Sequence, residues 1–270
     1  TSAERTSMRH SMVASVLEAM ASNARHRERI WLFEIGSVFL MDDALPQTQG
    51  SQNALLPDEV LQLVIAITGP RELEGWKRAD TSPVDFYDLK GILETLLDGL
   101  HVSGAEFEPT EHPSYHPGRV ALLRVQGDPA GVLGQLHPLV QEAFGLPDDR
   151  PVLVAEINFE ALSPHIPSVH LVHSAPRFPA VGQDIAVVVD EATPANQVQA
   201  TILAGGGKLL VDVRLFDVYR GGQIGAGRKS LAYALTFQAE DRTLTDKDVA
   251  KVQDRIVRRL ERELGAKLRA

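Results

Sequence analysis

The fold of the C-terminal part of this chain is decided by one stretch, Leu215-Phe216-Asp217-Val218-Tyr219-Arg220-Gly221-Gly222. It is typical of a strand that runs into a glycine-rich turn. The next stretch, Gly227-Arg228-Lys229-Ser230-Leu231-Ala232, predicts a second strand and therefore a hairpin. Thr245 then precedes an apolar-periodic segment, and Asp248 follows it at the spacing of a helix-capping box.

The segments around this hairpin extend the pattern on both sides. We expect a strand over 184–190, then a helix that begins at Thr193-Pro194 and ends at Gly205-Gly206-Gly207. The hairpin strands are predicted over 208–219 and 229–238. The last helix ends at Gly265, and residues 266–269 are predicted as a final edge strand. The resulting order is β-α-β-β-α-β, which is the ferredoxin-like order.

Side chains alternate between the two faces of a strand, so the hairpin residues can be assigned to faces. The residues predicted to face the helices are Leu209, Val211, Val213, Leu215, Leu231, Tyr233, Leu235 and Phe237. The residues predicted to share the opposite, open face are Asp212, Arg214, Phe216, Val218, Ser230, Ala232, Ala234 and Thr236. Such a flat face with an exposed aromatic binds single-stranded RNA in some proteins. The alternative is that this face packs on another domain or subunit.

Composition and charge divide the 270 residues into two parts. Residues 1–172 carry 12 Lys and Arg against 24 Asp and Glu, whereas residues 173–270 carry 15 against 12. A segment rich in Pro, Ser and His over 163–176 predicts the boundary, so we expect domains at 1–170 and 171–270. The chain has no cysteine and no apolar run of about 18 residues, which favours a cytoplasmic protein without a membrane span. Because it starts at Thr1, we expect a fragment of a longer protein.

The first part mixes helices and strands. Met8, Met12, Val16 and Met20 recur every four residues and predict an amphipathic helix. Ser82-Pro83 is predicted to open a second helix, with Ser82 as its N-cap. The predicted strands are 29–40, 60–68, 105–109, 119–126, 131–136 and 152–157. This order favours an α+β fold with a largely antiparallel sheet flanked by helices.

Several segments together resemble one known family. They are Arg177-Phe178-Pro179, Asp184-Ile185-Ala186, 215–219, 227–232, Arg242-Thr243-Leu244-Thr245, Leu268-Arg269, 32–39, 85–91 and His116-Pro117-Gly118-Arg119. Through them, residues 175–270 are similar to the ferredoxin-fold anticodon-binding domain that ends the β subunit of bacterial phenylalanyl-tRNA synthetase. Residues 1–170 resemble the catalytic-like module of that subunit, a class II synthetase-like fold. Two residues differ from the family pattern: Gln183 stands where the family usually has Arg, and Ser37 where a basic residue is common.

The resemblance implies a function and partners. The chain would be a non-catalytic part of phenylalanine–tRNA ligase, assembled with the α subunit as α2β2 and holding the anticodon stem-loop of the phenylalanine tRNA. ATP and Mg²⁺ would be used by the complete enzyme, with no cofactor in this fragment. Phe216 would contact RNA by stacking. The residues expected to contact RNA by charge are Arg177, Arg214, Lys229 and Arg242.

The residues themselves agree with a non-catalytic role for the first part. A class II adenylate site neutralises triphosphate with paired arginines and carboxylate-held Mg²⁺. Within the first predicted strand, residues 31–40 carry Glu34 but no Arg, and only Arg119 and Arg124 lie on a later strand. The chain contains no phosphate-binding P-loop and no dinucleotide glycine motif.

Three other features have a functional and a structural interpretation. Glu111, His112, His116 and His137 are candidate metal ligands, but Pro113 and Pro117 break the helix that would align them, so loop histidines are preferred. Asp85 and Asp88 could act as an acid–base pair, although charge at a helix start explains Asp85. The last helix carries a basic stripe, which is either a solvated face or a phosphate contact. The stripe consists of Lys251, Arg255, Arg258, Arg259 and Arg262.

Overall fold

The computed structural model of the chain describes residues 7–41, 56–169 and 175–269. The chain divides into two compact units, residues 1–171 and 172–270, each with its own hydrophobic core. The mixed α/β architecture and its antiparallel sheets confirm the predicted fold class.

The first unit is built on a six-stranded antiparallel sheet in the order β1-β2-β6-β5-β4-β3. Two cores lie on its opposite faces, one containing α1 and the other containing α2. The elements are α1 (Val13–Ala24), β1 (Ile30–Leu40), β2 (Asp58–Thr68), α2 (Phe86–Gly99), β3 (Ala105–Pro109), β4 (Tyr115–Val125), β5 (Asp128–Leu136), α3 (Pro138–Ala143), β6 (Val152–Asn158) and α4 (Phe159–Leu162). The predicted strands are all present, whereas the short helices α3 and α4 were not predicted.

The start of α2 differs from the prediction that Ser82 is its N-cap. The cap is Asp85, whose carboxylate accepts from the backbone N–H groups of Tyr87 (2.8 Å) and Asp88 (3.3 Å). The Ser82 hydroxyl instead donates to Asp80 (2.5 Å) and accepts from Arg71 (2.8 Å). A carboxylate satisfies free N–H groups at a helix start, so the helix begins three residues later than predicted.

Arg71 fixes this helix start in place. Its guanidinium binds Asp85 at 2.7 Å and Asp88 at 2.9 Å, and lies 3.6 Å from Asp80. The hydrogen bond to Asp88 is the main cause of a raised pKa at Arg71. Asp85 and Asp88 are thus occupied by capping and by ion pairing, which supports the structural interpretation of the two carboxylates.

The second unit has the predicted β-α-β-β-α-β order. Its sheet has the order β10-β7-β9-β8, and α5 and α6 pack on one face of it. Thr245 and Asp248 form the predicted capping box, and Gly265 ends α6 in the left-handed conformation (φ 59°). The elements are β7 (Val181–Asp190), α5 (Ala195–Gly206), β8 (Leu210–Tyr219), β9 (Arg228–Phe237), α6 (Asp246–Leu264) and β10 (Lys267–Leu268).

Candidate nucleic-acid interface

The helix-free face of the second sheet, hereafter the open face, follows from the strand register. Tyr233, Leu235 and Phe237 of β9 are buried under the helices, so the alternate residues of β9 lie on the open face. The pairing of β9 with β7 and β8 then gives the neighbours on that face. The central residues of the open face are Asp184, Ala186, Val188, Ser230, Ala232, Ala234, Thr236, Asp212, Arg214, Asp217 and Tyr219.

Two β-bulges in β8 correct the predicted alternation. The register with β9 shifts between Leu210 and Asp212 and again between Leu215 and Asp217. Val211, predicted to face the helices, falls in the first shift and is 52% exposed. Val218, predicted on the open face, pairs with the buried Leu231 and so lies on the helix side. Each bulge inserts one extra residue, and strict alternation fails beyond it.

The second bulge contains Phe216 as its extra residue and brings Tyr219 onto the open face. Phe216 lies at the register shift between Leu215 and Asp217 and is 52% exposed. After the shift, Asp217 pairs with Ala232 and Tyr219 pairs with Ser230, both open-face residues of β9. The bulge therefore adds a carboxylate and an aromatic ring to this face, two residues that sequence reasoning missed.

Arg269 contributes to the same face from the opposite edge of the sheet. It follows β10, and its backbone N–H donates to the carbonyl of Ala186 at 2.8 Å. Its guanidinium carbon lies 4.8 Å from the centre of the Tyr219 ring, within the range of a cation–π interaction. Gly221 lies beside the hydroxyl end of the same ring, since a Cβ built on Gly221 would collide with the Tyr219 hydroxyl. Arg269 and Gly221 are therefore close neighbours of the Tyr219 side chain.

Charged residues of both signs surround these rings. At one end of the sheet, Arg228 lies 3.6 Å from Asp190, and Arg220 binds Glu191 at 2.9 Å. The hydrogen bond from Arg220 lowers the pKa of Glu191 below its usual value. Arg214 is exposed, and no ion pair is found for it among the described residues. Its charge is therefore available to an anionic ligand on the open face.

Four of the five residues predicted to contact RNA are exposed. Arg214 and Phe216 lie together on β8, and Arg177 lies in the segment before β7. Arg242 lies between β9 and α6, where it is 3.4 Å from Asp248 of the capping box. These positions leave the side chains accessible to solvent.

Lys229 differs from the other four. Its side chain is on the helix side of β9, only 9% exposed, and its Nζ donates to the carbonyl of Glu191 at 2.8 Å. Strand alternation explains this, because Lys229 is two residues from the core residue Leu231. Lys229 holds the end of β7 and is not part of the open face.

The charged residues weighed for adenylate chemistry in the first unit are bonded to neighbouring protein groups. Arg124 binds Glu108 at 2.8 Å, Arg119 donates to the amide oxygen of Gln135 at 2.6 Å, and Glu34 accepts from Arg9 at 2.9 Å. These contacts hold the three side chains against neighbouring protein groups.

The candidate metal ligands are also engaged locally. The Nδ1 atoms of His112 and His137 accept from the backbone N–H groups of Ser114 (3.3 Å) and Leu139 (3.2 Å), the latter as the N-cap of α3. Among the described residues, no group of three or more His, Asp or Glu side chains is arranged to hold a metal ion. Within the same ranges, every helix is too short or too polar to cross a bilayer.

Comparisons with known proteins match both units. Residues 1–159 match the family model described as phenylalanyl tRNA synthetase beta chain CLM domain. Residues 176–269 match the model described as ferredoxin-fold anticodon binding domain. The two matched segments fall within the two compact units of the structure.

Curated relatives match along nearly all of the chain. The phenylalanine–tRNA ligase beta subunit of Symbiobacterium thermophilum is 42% identical over 268 residues, covering 99% of this chain and 29% of the relative. The subunit of the same name from Clostridium tetani is 38% identical over 264 residues, covering 97% and 30%. This chain therefore spans about three-tenths of the length of these relatives. On the strength of both family models, the chain belongs to the phenylalanyl-tRNA synthetase β-chain family.

Proposed function

We propose that this chain is a non-catalytic part of a phenylalanine–tRNA ligase β subunit that supports the ATP-dependent attachment of phenylalanine to its tRNA. Its second unit binds the anticodon stem-loop, and its first unit contacts the α subunit in an α2β2 enzyme. ATP and Mg²⁺ are used elsewhere in the complete enzyme, and the cytoplasm is the location that this function implies. The names of the relatives and the anticodon-binding family of the second unit support the proposal.

The observation that carries the RNA contact is the pair of aromatic rings at the second bulge of β8, with Tyr219 on the open face and Phe216 exposed at the bulge. Single-stranded RNA is bound on sheets whose exposed aromatics stack two or three bases. Tyr219, which Arg269 contacts, and the exposed Phe216 provide two such rings near the end of β8. Each stacked base is worth about 1–3 kcal/mol.

The charges proposed to accompany this stacking are those of Arg214, Arg177 and Arg242. Arg214 is on the edge strand β8 and is paired in register with Ala234, so its side chain lies on the open face. Arg177 and Arg242 are exposed in the segments next to β7 and after β9. Lys229 is left out of the proposed contact because it is buried and bonded to Glu191.

An exposed apolar strip on β1 supports the contact with the α subunit. β1 is an edge strand of the first sheet, and Trp31, Phe33 and Ile35 alternate on one of its faces. Phe33 is 73% exposed and Ile35 is 54% exposed. A contiguous exposed apolar strip at a sheet edge is typical of a protein–protein contact. We assign this strip to the α subunit.

The experiment that tests the RNA contact is aminoacylation by the reconstituted complex. We expect Phe216→Ala and Arg214→Ala to raise the KM for tRNA, because each removes a contact made by the substrate RNA. Trp76→Ala is the control, since Trp76 is an exposed aromatic of the other unit and its loss should leave the KM unchanged. An unchanged KM in both open-face variants would contradict the RNA assignment and favour a purely structural interaction module.

The contact with the α subunit has its own test. We expect Phe33→Asp to reduce co-purification of the two subunits, because it places a charge in the apolar strip. If the Phe33→Asp variant co-purifies with the α subunit as well as the wild type does, the strip is not part of the interface. The RNA assignment is unaffected by that result.

A further inference from the structure

A second basic surface lies among the helices of the second unit. It is a groove of about 650 Å³ between the C-terminal end of α5 and the exposed face of α6. Asp254 is the acidic residue in its lining. The other lining residues are Lys251, Arg255, Arg258, Arg259, Arg262, Ala204 and Gly205. Because α5 and α6 cover the opposite face of the sheet, this groove is separate from the open face.

The floor of the groove is a close contact between α5 and α6. A Cβ built on Gly205 would lie 3.0 Å from the Cα of Ile256, so the two helices approach closely there. Arg255 is fixed above this contact, since its Nε donates to the carbonyl of Gly205 (2.5 Å) and its Nη2 to that of Gly206 (2.8 Å). These bonds satisfy the end of α5 and hold one cation of the groove in a defined position.

The remaining cations are only partly neutralised. Arg259 and Arg262 share Glu263, at 3.0 and 2.9 Å. Lys251 and Arg258 are exposed, and the described residues offer neither of them an ion pair. From Lys251 to Arg262 the cations follow the helix for about 16 Å, at a rise of about 1.5 Å per residue.

The chemistry of the lining favours one kind of ligand. Protein interfaces are anchored by aromatic and large apolar side chains, and the groove has none. Single-stranded RNA also needs aromatic rings for stacking. A linear row of cations without rings suits the phosphates of a double helix, which are recognised by shape and charge.

We propose that this α6 groove binds the phosphate backbone of double-helical RNA, as a contact additional to the open face. It goes beyond the proposed anticodon function and does not depend on it. The contact is independent of base sequence. It is sensitive to salt because phosphate binding releases counterions.

The test uses a blunt RNA duplex of about 12 base pairs, without loop or unpaired base, and the full chain in fluorescence anisotropy between about 50 and 200 mM salt. The variant Lys251→Glu/Arg258→Glu should weaken binding at least about tenfold and reduce the salt slope by about 2, one for each lost phosphate contact. The control Lys77→Glu/Arg78→Glu makes the same change in net charge in the other unit and should leave the affinity within about twofold. Thermal melting verifies that each variant is folded.

Tyr219→Ala separates the two surfaces, since it removes an open-face ring and should leave duplex affinity unchanged. Absence of duplex binding by the wild-type chain at the lowest salt would overturn the proposal. So would equal losses in the groove variant and the charge-matched control. Displacement of the duplex by a polyglutamate peptide at equal charge would instead identify the groove as a site for an acidic protein.

Discussion

The guanidinium carbon of Arg269 lies 4.8 Å from the centre of the Tyr219 ring, although the two residues belong to opposite edges of the four-stranded sheet. Tyr219 ends β8, and Arg269 follows β10. Their contact crosses the open face above β7 and β9, where Ser230 is buried. The last residues of the chain thus complete the surface that we assign to RNA.

This relationship predicts that Tyr219 and Arg269 act together in RNA binding. Tyr219→Ala should weaken binding of a single-stranded anticodon-loop RNA about fivefold or more, the loss expected for one stacked base. Arg269→Ala should reduce RNA affinity less when Tyr219 is already Ala than in the wild type, because Arg269 contributes to binding partly by positioning the Tyr219 ring. Tyr219→Phe retains the ring and should bind nearly as wild type. Additive losses in the double-mutant cycle would show that the two residues act independently.

Gly221 is predicted to control the position of the Tyr219 ring. Gly221→Ala forces the ring to move, because a Cβ there would collide with the Tyr219 hydroxyl at the end of a side chain that can rotate. We expect weaker RNA binding with little change in melting temperature. Gly222→Ala is the control, since a Cβ at Gly222 meets nothing within 4 Å. Equal affinities in the two variants would show that the ring position does not matter.

Lys229 should affect stability and leave RNA affinity unchanged. Lys229→Ala removes the donor to the Glu191 carbonyl, and a hydrogen bond from a charged group contributes about 1.5–3 kcal/mol. Arg214→Ala should show the opposite result, with weaker RNA binding and nearly wild-type stability. Urea unfolding and RNA titration on both variants make the comparison. If Lys229→Ala has wild-type stability but reduced RNA affinity, Lys229 contacts RNA and its exclusion from the interface is wrong.

The start of α2 gives a stability prediction for the first unit. Asp85→Ala removes the N-cap and one carboxylate on Arg71, and loss of a cap costs about 0.5–2 kcal/mol. Ser82→Ala should cost less, because Ser82 lies outside the helix and bonds only Asp80 and Arg71. Chemical denaturation of both variants measures the difference. A larger loss in Ser82→Ala would assign the cap to Ser82 after all.

Asp248 makes the second unit sensitive to acid. Hydrogen bonds from the backbone N–H and the hydroxyl of Thr245 lower the pKa of Asp248 below its usual value. Ionised Asp248 therefore stabilises the fold above the unfolded pKa of about 3.9, and this stabilisation is lost as the pH falls through the lower folded value. Asp248→Asn should lose less stability than the wild type between about pH 5 and pH 2.5 in urea unfolding. Parallel stability curves would rule out this contribution.

Much of the second unit could be predicted because its local signals agree with one another. The glycines at the end of α5, the capping box at Thr245 and the glycine that ends α6 mark element boundaries by backbone chemistry alone. The burial of Lys229 could also have been predicted, because residues two positions apart on a strand share a face and Leu231 is a core residue. Local pattern therefore determined the elements and most of their faces.

The rest depended on features that a local pattern does not contain. Alternation assumes an unbroken register, so the two bulges of β8 misplaced Val211 and Val218 and concealed Tyr219. The contact between Tyr219 and Arg269 joins residues 50 positions apart in sequence, through the sheet order β10-β7-β9-β8. In the first unit, the Ser82 hydroxyl is hydrogen-bonded to Asp80 and Arg71. Asp85 therefore serves as the N-cap of α2.

The central claim is that the open face of the second sheet binds single-stranded RNA. Its most direct test is an NMR titration of the chain with the single-stranded heptanucleotide of the phenylalanine anticodon loop. The account predicts shifts of backbone amides at Arg214, Phe216, Tyr219 and Ala232, with those of α5 and α6 unchanged. Shifts confined to α5 and α6, or no shifts at saturating RNA, would contradict it.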